Sequence, residues 1–425
     1  MVSLTRLAQI SNLSDVIGTL VVIKHPSGRF VYKPWYHDRN YGSDEYGCTS
    51  LPNIFHHWLL KLEDVEAGNL ANHINLLGTE CTDLVHITSS YVPQKKALLI
   101  AGYTYVGANT GYPRVVIVDL SDPLNPRVIK DLRHSRSGSP ARTAVVYSAK
   151  HDKMLIGVLG PETAVYYGTW DEVLNASNID SLTKLADGYW GMLPIDNDRV
   201  MIGGPSGRAV VDLSTMTVQT PSDNPNIDNL GNLVHRTYDK LVTIVVDTTY
   251  KIRFLDLDLN VVSEFDTGLP KPDNLEKLWI ATDGINVVVI DNHNMKILLV
   301  DPTNGIKATT DISEVCAWGD LVDKGYILCT DFIEGTGKFV KLVLDGYYSV
   351  SRQNNKVCLS DEAGNPVTNK TVYVCRSEIS SPALDSAYQE LPGFERTCTQ
   401  VTTDSNGCID LSGLEPGVYV ILAPR

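Results

Sequence analysis

The sequence predicts an all-β protein: a six-bladed β-propeller, seven-bladed if residues 18–35 supply one more blade, followed by a small C-terminal β-sandwich. Three observations predict it. A four-part pattern of short β-rich runs recurs six times between residues 83 and 353. The third run of each unit ends in an aspartate followed by a turn: Asp119, Asp171, Asp212, Asp256, Asp301 and Asp345, the last four spaced by 44, 45 and 44 residues. From residue 355 onward this rhythm gives way to apolar–polar alternation with a period of two. Four strands per 40–45 residues, kept in phase, is the spacing of propeller blades.

The N-terminal segment, residues 1–82, reads as a docking or closing module. Residues 18–35 make a hairpin around Pro26-Ser27-Gly28. Residues 54–77 are the best helical candidate, with Leu59, Leu62, Val65 and Leu70 on a loose stripe. The propeller, residues 83–353, follows. Its second strands, such as 96–103 and 285–292, are apolar almost throughout, as expected where blades stack face to face. Its third strands carry the aspartates, and weaker fourth strands follow at 127–133, 261–267 and 347–353. Asp301-Pro-Thr-Asn-Gly305 and Asp283-Gly284 are hairpin turns, because Asn-Gly and Asp-Gly accept the positive φ that tight turns require. Residues 354–425 form the C-terminal module. In its strand at 370–375, Val372 and Val374 are expected to face the core and Tyr373 and Cys375 the outer side.

Two resemblances follow from these residues. Residues 111–126, GYPRVVIVDLSDPLNP, resemble the LVIVD repeat, a propeller repeat of surface-associated proteins in bacteria and archaea. The match is good in this first unit and fades to a general propeller pattern in the rest. In the C-terminal module, DEAGNPV at 361–367, then TDSNG at 403–407 and LEPGVY at 414–419, is similar to the small prealbumin-like or immunoglobulin-like sandwiches appended to surface proteins. That resemblance implies a spacer or contact platform. Neither implies a reaction, since propellers host many activities.

Composition narrows the function. Fifty acids against 36 bases give a net charge of −14, which disfavours phosphate backbones, so no nucleic-acid partner is expected. No apolar run is long enough to span a bilayer, so no membrane insertion is expected. The N-terminus carries no secretory signal pattern. Four of the eight cysteines, Cys358, Cys375, Cys398 and Cys408, crowd into the C-terminal module as disulfide candidates. Four cysteines allow three pairings, buried free thiols are the alternative, and the spacings match no zinc pattern.

Catalytic signatures are missing from the sequence. Gly203–Gly207 lacks the Gly-Lys-Ser/Thr of a phosphate loop, His56-His57 has no third ligand at a useful spacing, and no Gly-x-Ser-x-Gly elbow occurs. Asp256, Asp258 and Asn260 lack the central Gly and terminal Glu of a calcium loop. No catalytic residue, metal or cofactor is therefore expected. Recognition is better supported: 20 Tyr stand against 7 Phe, and Tyr offers an apolar face with a polar tip. Tyr103, Tyr105 and Tyr112, around a long loop, are the candidate ligand contact; Trp35, Tyr36, Tyr41 and Tyr46 are the candidate subunit contact. Packing at the blade rims is the alternative for both groups.

Extracellular-style modules, candidate disulfides and no secretion signal together predict a non-enzymatic virion protein. Its role would be structural or host attachment, as a spike, tail component or capsid decoration. Its expected partners are other structural proteins of a particle, in an oligomer, or a host-surface glycan or protein. The alternatives are a cellular surface or scaffold propeller and a glycan-active propeller enzyme.

Overall fold

The computed structural model describes residues 2–10, 20–25, 27–37, 54–107, 110–221, 223, 233–237, 239–282, 287–313, 315–323, 326–330, 337–344, 349–353, 355–361, 363–379, 393–394, 398–414 and 419–422. The opening strand, β1 (Val2–Ile10), belongs to the last of seven antiparallel four-strand arrays. Sheet 1 holds β2 (Val21–His25), β3 (Gly28–His37), β4 (Ile54–Lys61) and β5 (Ile74–Asn75). Sheet 2 holds β6 (Leu84–Val92), β7 (Ala97–Gly107), β8 (Thr110–Asp119) and β9 (Arg127–Arg133). Sheet 3 holds β10 (Arg142–Ser148), β11 (Lys153–Leu159), β12 (Ala164–Gly168) and β13 (Thr183–Asp187). Sheet 4 holds β14 (Gly191–Pro194), β15 (Arg199–Gly204), β16 (Gly207–Asp212) and β17 (Thr217–Gln219). Sheet 5 holds β18 (Leu233–Arg236), β19 (Lys240–Val246), β20 (Thr249–Asp256) and β21 (Val261–Pro270). Sheet 6 holds β22 (Leu278–Thr282), β23 (Val287–Asp291), β24 (Lys296–Asp301) and β25 (Gly305–Asp311). In sheet 7, β26 (Ala317–Asp323), β27 (Tyr326–Thr330) and β28 (Gly337–Leu344) are completed on the outside by β1, with Val2 opposite Leu344 and Ile10 opposite Gly337.

Each sheet is apolar on both faces and so must be covered on both sides. The cover is the next sheet. Val21 and Tyr32 meet Leu98 and Val118 between sheets 1 and 2. Leu99 and Ile117 meet Val145 and Ile156 between 2 and 3, and Val146 and Leu155 meet Val200 and Val211 between 3 and 4. Met201 and Val210 meet Leu241 and Leu255, Ile244 and Phe254 meet Leu278 and Val289, and Val288 and Ile290 meet Val340 and Leu342. Leu328 and Phe339 of sheet 7 then meet Trp35 and Trp58 of sheet 1. The seven apolar seams therefore close a ring, and the fold is an all-β propeller. Neighbouring first strands touch around the centre, β2 with β6, β6 with β10, β10 with β14, β18 with β22, β22 with β26 and β26 with β2, so these strands line the channel.

Up-and-down strands give the ring two faces. Turns between first and second strands, and between third and fourth, lie on what we call the lower face. Turns between second and third strands, and the links from sheet to sheet, lie on the upper face.

Several expectations are corrected. Residues 54–61 are a strand, not a helix; within 54–77 helical structure is confined to the short α1 (Leu62–Glu66) and a 3-10 turn at Leu70–Asn72. The apolar stripe that suggested a helix arises because Phe55 to Leu60 is buried on both sides of a sheet. Within the 18–35 hairpin, Val21–His25 supplies the first strand of sheet 1 and the second, Gly28–His37, begins there, instead of standing apart from the ring. Residues 349–353 form β29 (Ser349–Gln353), which pairs with β30 (Lys356–Ser360) and not with sheet 7, where β1 holds that place. Asp171 does not end a third strand: β12 stops at Gly168, and Asp171 lies in helix α2 (Trp170–Asn175), capped by Thr169. Asp345 lies outside the described residues.

At the C-terminal end, β29 and β30 join β34 (Cys408–Asp410) in one sheet. The strand β31 (Thr371–Ile379) pairs with β32 (Gly393–Phe394), β33 (Thr399–Thr402) and β35 (Tyr419–Leu422). Val357, Leu359 and Ile409 of the first sheet pack against Val372 and Val374 of the second. Tyr373 is half-buried on the other side, as the alternation predicts; the Cys375 side chain lies outside the described residues.

Cys358 and Cys408 face each other across β30 and β34 as a disulfide with Cα atoms 3.9 Å apart. Cys398 is also disulfide-bonded. The sequence did not single out a further disulfide, Cys316–Cys329 in sheet 7, or Cys81, which is bonded as well. Free thiols are not found among the described cysteines.

Candidate functional site

The upper face of sheet 2 is built around the hairpin of β7 and β8, two of the longest strands in the ring at 11 and 10 residues. Register decides where its aromatic residues go. Tyr103 lies opposite Pro113 and Tyr105 opposite Gly111, whereas Tyr112 lies opposite Thr104. Paired residues share a face of the sheet and successive ones do not. Tyr103 and Tyr105 therefore face sheet 3, and Tyr112 faces sheet 1.

The three tyrosines proposed as one contact thus split into two environments. Tyr103 is only 4% exposed and sits in a cluster with Phe55, Val85, Ile87 and Ala141. That burial also raises its hydroxyl pKa. It is a core residue and not a contact. Tyr105 and Trp190 lie half-buried on this cluster and form its rim. The sequence reading missed Trp190, whose only signal was a large aromatic next to Gly191 at the start of an inner strand. Tyr112 is exposed at 37%, and Val106, the bulged residue beside the hairpin tip, at 57%.

The hairpin is held from both sides. Gly111 and Gly138 exchange backbone hydrogen bonds of 3.1 and 2.9 Å. A Cβ on Gly111 would lie 2.5 Å from the Tyr103 ring and 2.0 Å from the Thr104 carbonyl oxygen, so only glycine lets the ring cross there. At the base, the Arg114 guanidinium donates to both carboxylate oxygens of Asp131 at 2.8 Å and to Asp83 at 2.8 Å. Burial works against its charge, and the hydrogen bonds and attraction of Asp131 and Asp83 outweigh it, so its pKa is raised.

Beside the hairpin, the link from sheet 2 to sheet 3 is tied down by Glu162. It accepts from Tyr166 at 2.8 Å, Arg136 at 2.8 Å and Lys184 at 2.5 Å, with His134 at 3.0 Å. Burial pushes its pKa up, and the donors, led by Lys184 and Tyr166, overcome this and hold it at about 2. Such a carboxylate is saturated with donors and braces the loop.

Between sheets 1 and 2 lies a buried histidine pair. The Tyr32 hydroxyl lies 2.8 Å from His57 Nδ1, and His57 Nε2 lies 2.9 Å from the Leu84 carbonyl oxygen. A carbonyl can only accept, so Nε2 carries the proton and Nδ1 accepts from Tyr32. Burial lowers the His57 pKa to about 4. His86 packs edge-on against Tyr32 at 5.6 Å and is lowered well below its usual value by burial and then by His57 and Lys33. Nearby, His56 and His73 share Glu80 with Trp58 and Asn75. His56, His57 and His86 lie on strands and His73 follows the turn Leu70–Asn72; His56, His57 and His73 hold hydrogen bonds within the fold, and His86 is packed against Tyr32. No group of three or more His, Cys, Asp or Glu among the described residues is placed to hold a metal ion.

Trp35, proposed as a subunit contact, is fully buried instead, edge-on to Phe339 at 5.4 Å in the seam that closes the ring. The Tyr36 side chain, Tyr41 and Tyr46 lie outside the described residues. Asp256 ends β20 and accepts from the backbone N–H groups of Asp258 and Asn260 at 2.9 Å each, which makes these residues a turn and not a continuation of the strand.

No protein-family model matches the chain, and no curated protein matches it. Solved structures similar to it include the WD40 domain of Toxoplasma gondii coronin, at 10% identity over 86% of this chain and 90% of that one, with a TM-score of 0.47. The β-propeller domain of Myceliophteria thermophila Cps50 (Swd1) is similar at 11% identity over 81% and 100%, TM-score 0.42. A Mycobacterium tuberculosis puromycin-hydrolyzing peptidase is similar at 11% identity over 63% of this chain, TM-score 0.40; the chain spans 42% of that protein's length.

Proposed function

We propose that this chain is a non-enzymatic binding protein, a structural or host-attachment component of a virion, which presents the upper face of its propeller to a partner. In this reading the ring is made of LVIVD-like units, and the C-terminal module is an immunoglobulin-like or prealbumin-like platform. The observation that carries it is the braced hairpin: Val106 and Tyr112 stand exposed at its end while Tyr103, Gly111 and Arg114 fix its base. A rigid apolar and aromatic projection loses little entropy on binding and suits a protein or glycan partner. The disulfides support work in oxidising surroundings, which a released particle meets.

The test has two arms. Particles purified on a density gradient from the source culture are probed with an antibody to the chain; it is expected to band with the particles, and recovery only in the soluble fraction overturns the virion assignment. The doubly substituted Val106→Asp, Tyr112→Ala protein is expected to lose at least tenfold in affinity for the particle's other structural proteins or for host-cell surfaces, with an unchanged melting temperature. Unaltered binding by the folded variant overturns the hairpin's role.

A further inference from the structure

The C-terminal module leaves the ring at one sheet and touches it again at another. Strand β28 ends at Leu344, opposite Val2, and a third strand ends on the lower face, so the chain enters the module there, from sheet 7. The last residue of β31, Ile379, pairs antiparallel with Ser148, the last residue of β10. Strand β10 is the inner strand of sheet 3, and a first strand also ends on the lower face. Its other edge is already bonded to β11, so β31 adds to the edge that faces the channel. Sheets 7 and 3 are separated by sheets 1 and 2, three steps around a ring of seven. A module tethered at one and bonded to the inner edge of the other has to lie across the opening between them. Ser148 is fully buried.

We infer that the C-terminal module is a fixed cap over the lower mouth of the channel, held by strand addition to the inner edge of β10. The channel is then open to a partner only from the upper face, the face that carries the hairpin. Strand addition is suited to this task because the inner edge of a propeller sheet is a row of backbone donors and acceptors with no neighbouring strand. The cap also gives the molecule a direction, with one face for the partner and the other committed to the chain's own module.

A cysteine pair tests the inference in the full-length protein. Residues directly opposite on antiparallel strands lie within disulfide range. Ser148→Cys with Ile379→Cys is expected to yield, after mild oxidation and proteolysis, a cross-linked peptide pair detectable by mass spectrometry. The control, Ser148→Cys with Thr371→Cys, is expected to give none. Because Ser148 is buried and the variant can fail to fold, small-angle scattering of the unaltered chain is the second measurement. A single-peaked distance distribution is expected. A shoulder from a detached module, absence of the cross-link in a folded variant, or an equal yield from the control overturns the cap.

Discussion

The aspartates that mark the repeat earn their regularity one hydrogen bond at a time. Asp301 Oδ1 accepts from the N–H groups of Thr303 and Asn304 at 2.8 and 2.9 Å, and Asp212 does the same for Ser214 and Thr215 at 2.8 and 3.1 Å. A side chain that closes a turn locally leaves a mark in sequence, which is why the period was legible. Asp171 has the right spacing and a different job, in the first turn of α2. Asp301→Ala is therefore expected to cost about 1–2 kcal/mol in chemical denaturation, and Asp171→Ala well under half of that. The split of the tyrosines was not legible, because it depends on which strand residues stand opposite each other. Tyr103→Ala is expected to destabilise the fold by about 3 kcal/mol, as loss of a buried ring does, and not to act as a clean binding mutant.

Buried histidines add a pH dependence. His57 titrates near 6.5 when unfolded and at about 4 in the fold. Its contribution is fully present above pH 6.5 and is lost as pH falls toward 4, because only the unfolded chain takes up the proton. The shift of 6.5 − 4 corresponds to roughly 3 kcal/mol. The urea midpoint is expected to fall steeply over this range, and His57→Asn to flatten that slope; an unchanged slope would mean that His57 is not the group responsible.

Among strands and turns, the outer edges share a device. In β9, β13, β21 and β25 the register slips by one residue, at Ile129, Leu185, Val262 and Lys307. Each bulge bends the unpaired outer strand and hinders a further strand from pairing there. This accounts for the exposure of Ile129 and Val262, at 42% and 49%, without making them contacts. The strand at 54–61 resembles a helix in sequence for a related reason: with both sides covered, its apolar run has no period of two, and strand and helix cannot be told apart by pattern alone. In sheet 7, the Cys316–Cys329 disulfide closes a separation of 13 residues. Replacing both cysteines with serine is expected to cost about 3 kcal/mol, read as a lower denaturant midpoint.

For the whole molecule, six of the seven seams join sheets adjacent in sequence, and the repeat at 83–353 announced the five among sheets 2 to 7. Closure was beyond the sequence's reach. It depends on β1 pairing with β28, where Val2 meets Leu344 across nearly the whole chain, and on Trp35 and Trp58 meeting Phe339. No local pattern records a partner so far away. The same distance hid the cap, which depends on Ser148 meeting Ile379. A partner face and a capped face both exist only if the ring is closed. End-on projections of the purified protein by cryo-electron microscopy test that ring most directly. Seven lobes around a central hole are predicted; six lobes beside a separate density, or an open arc, would contradict it.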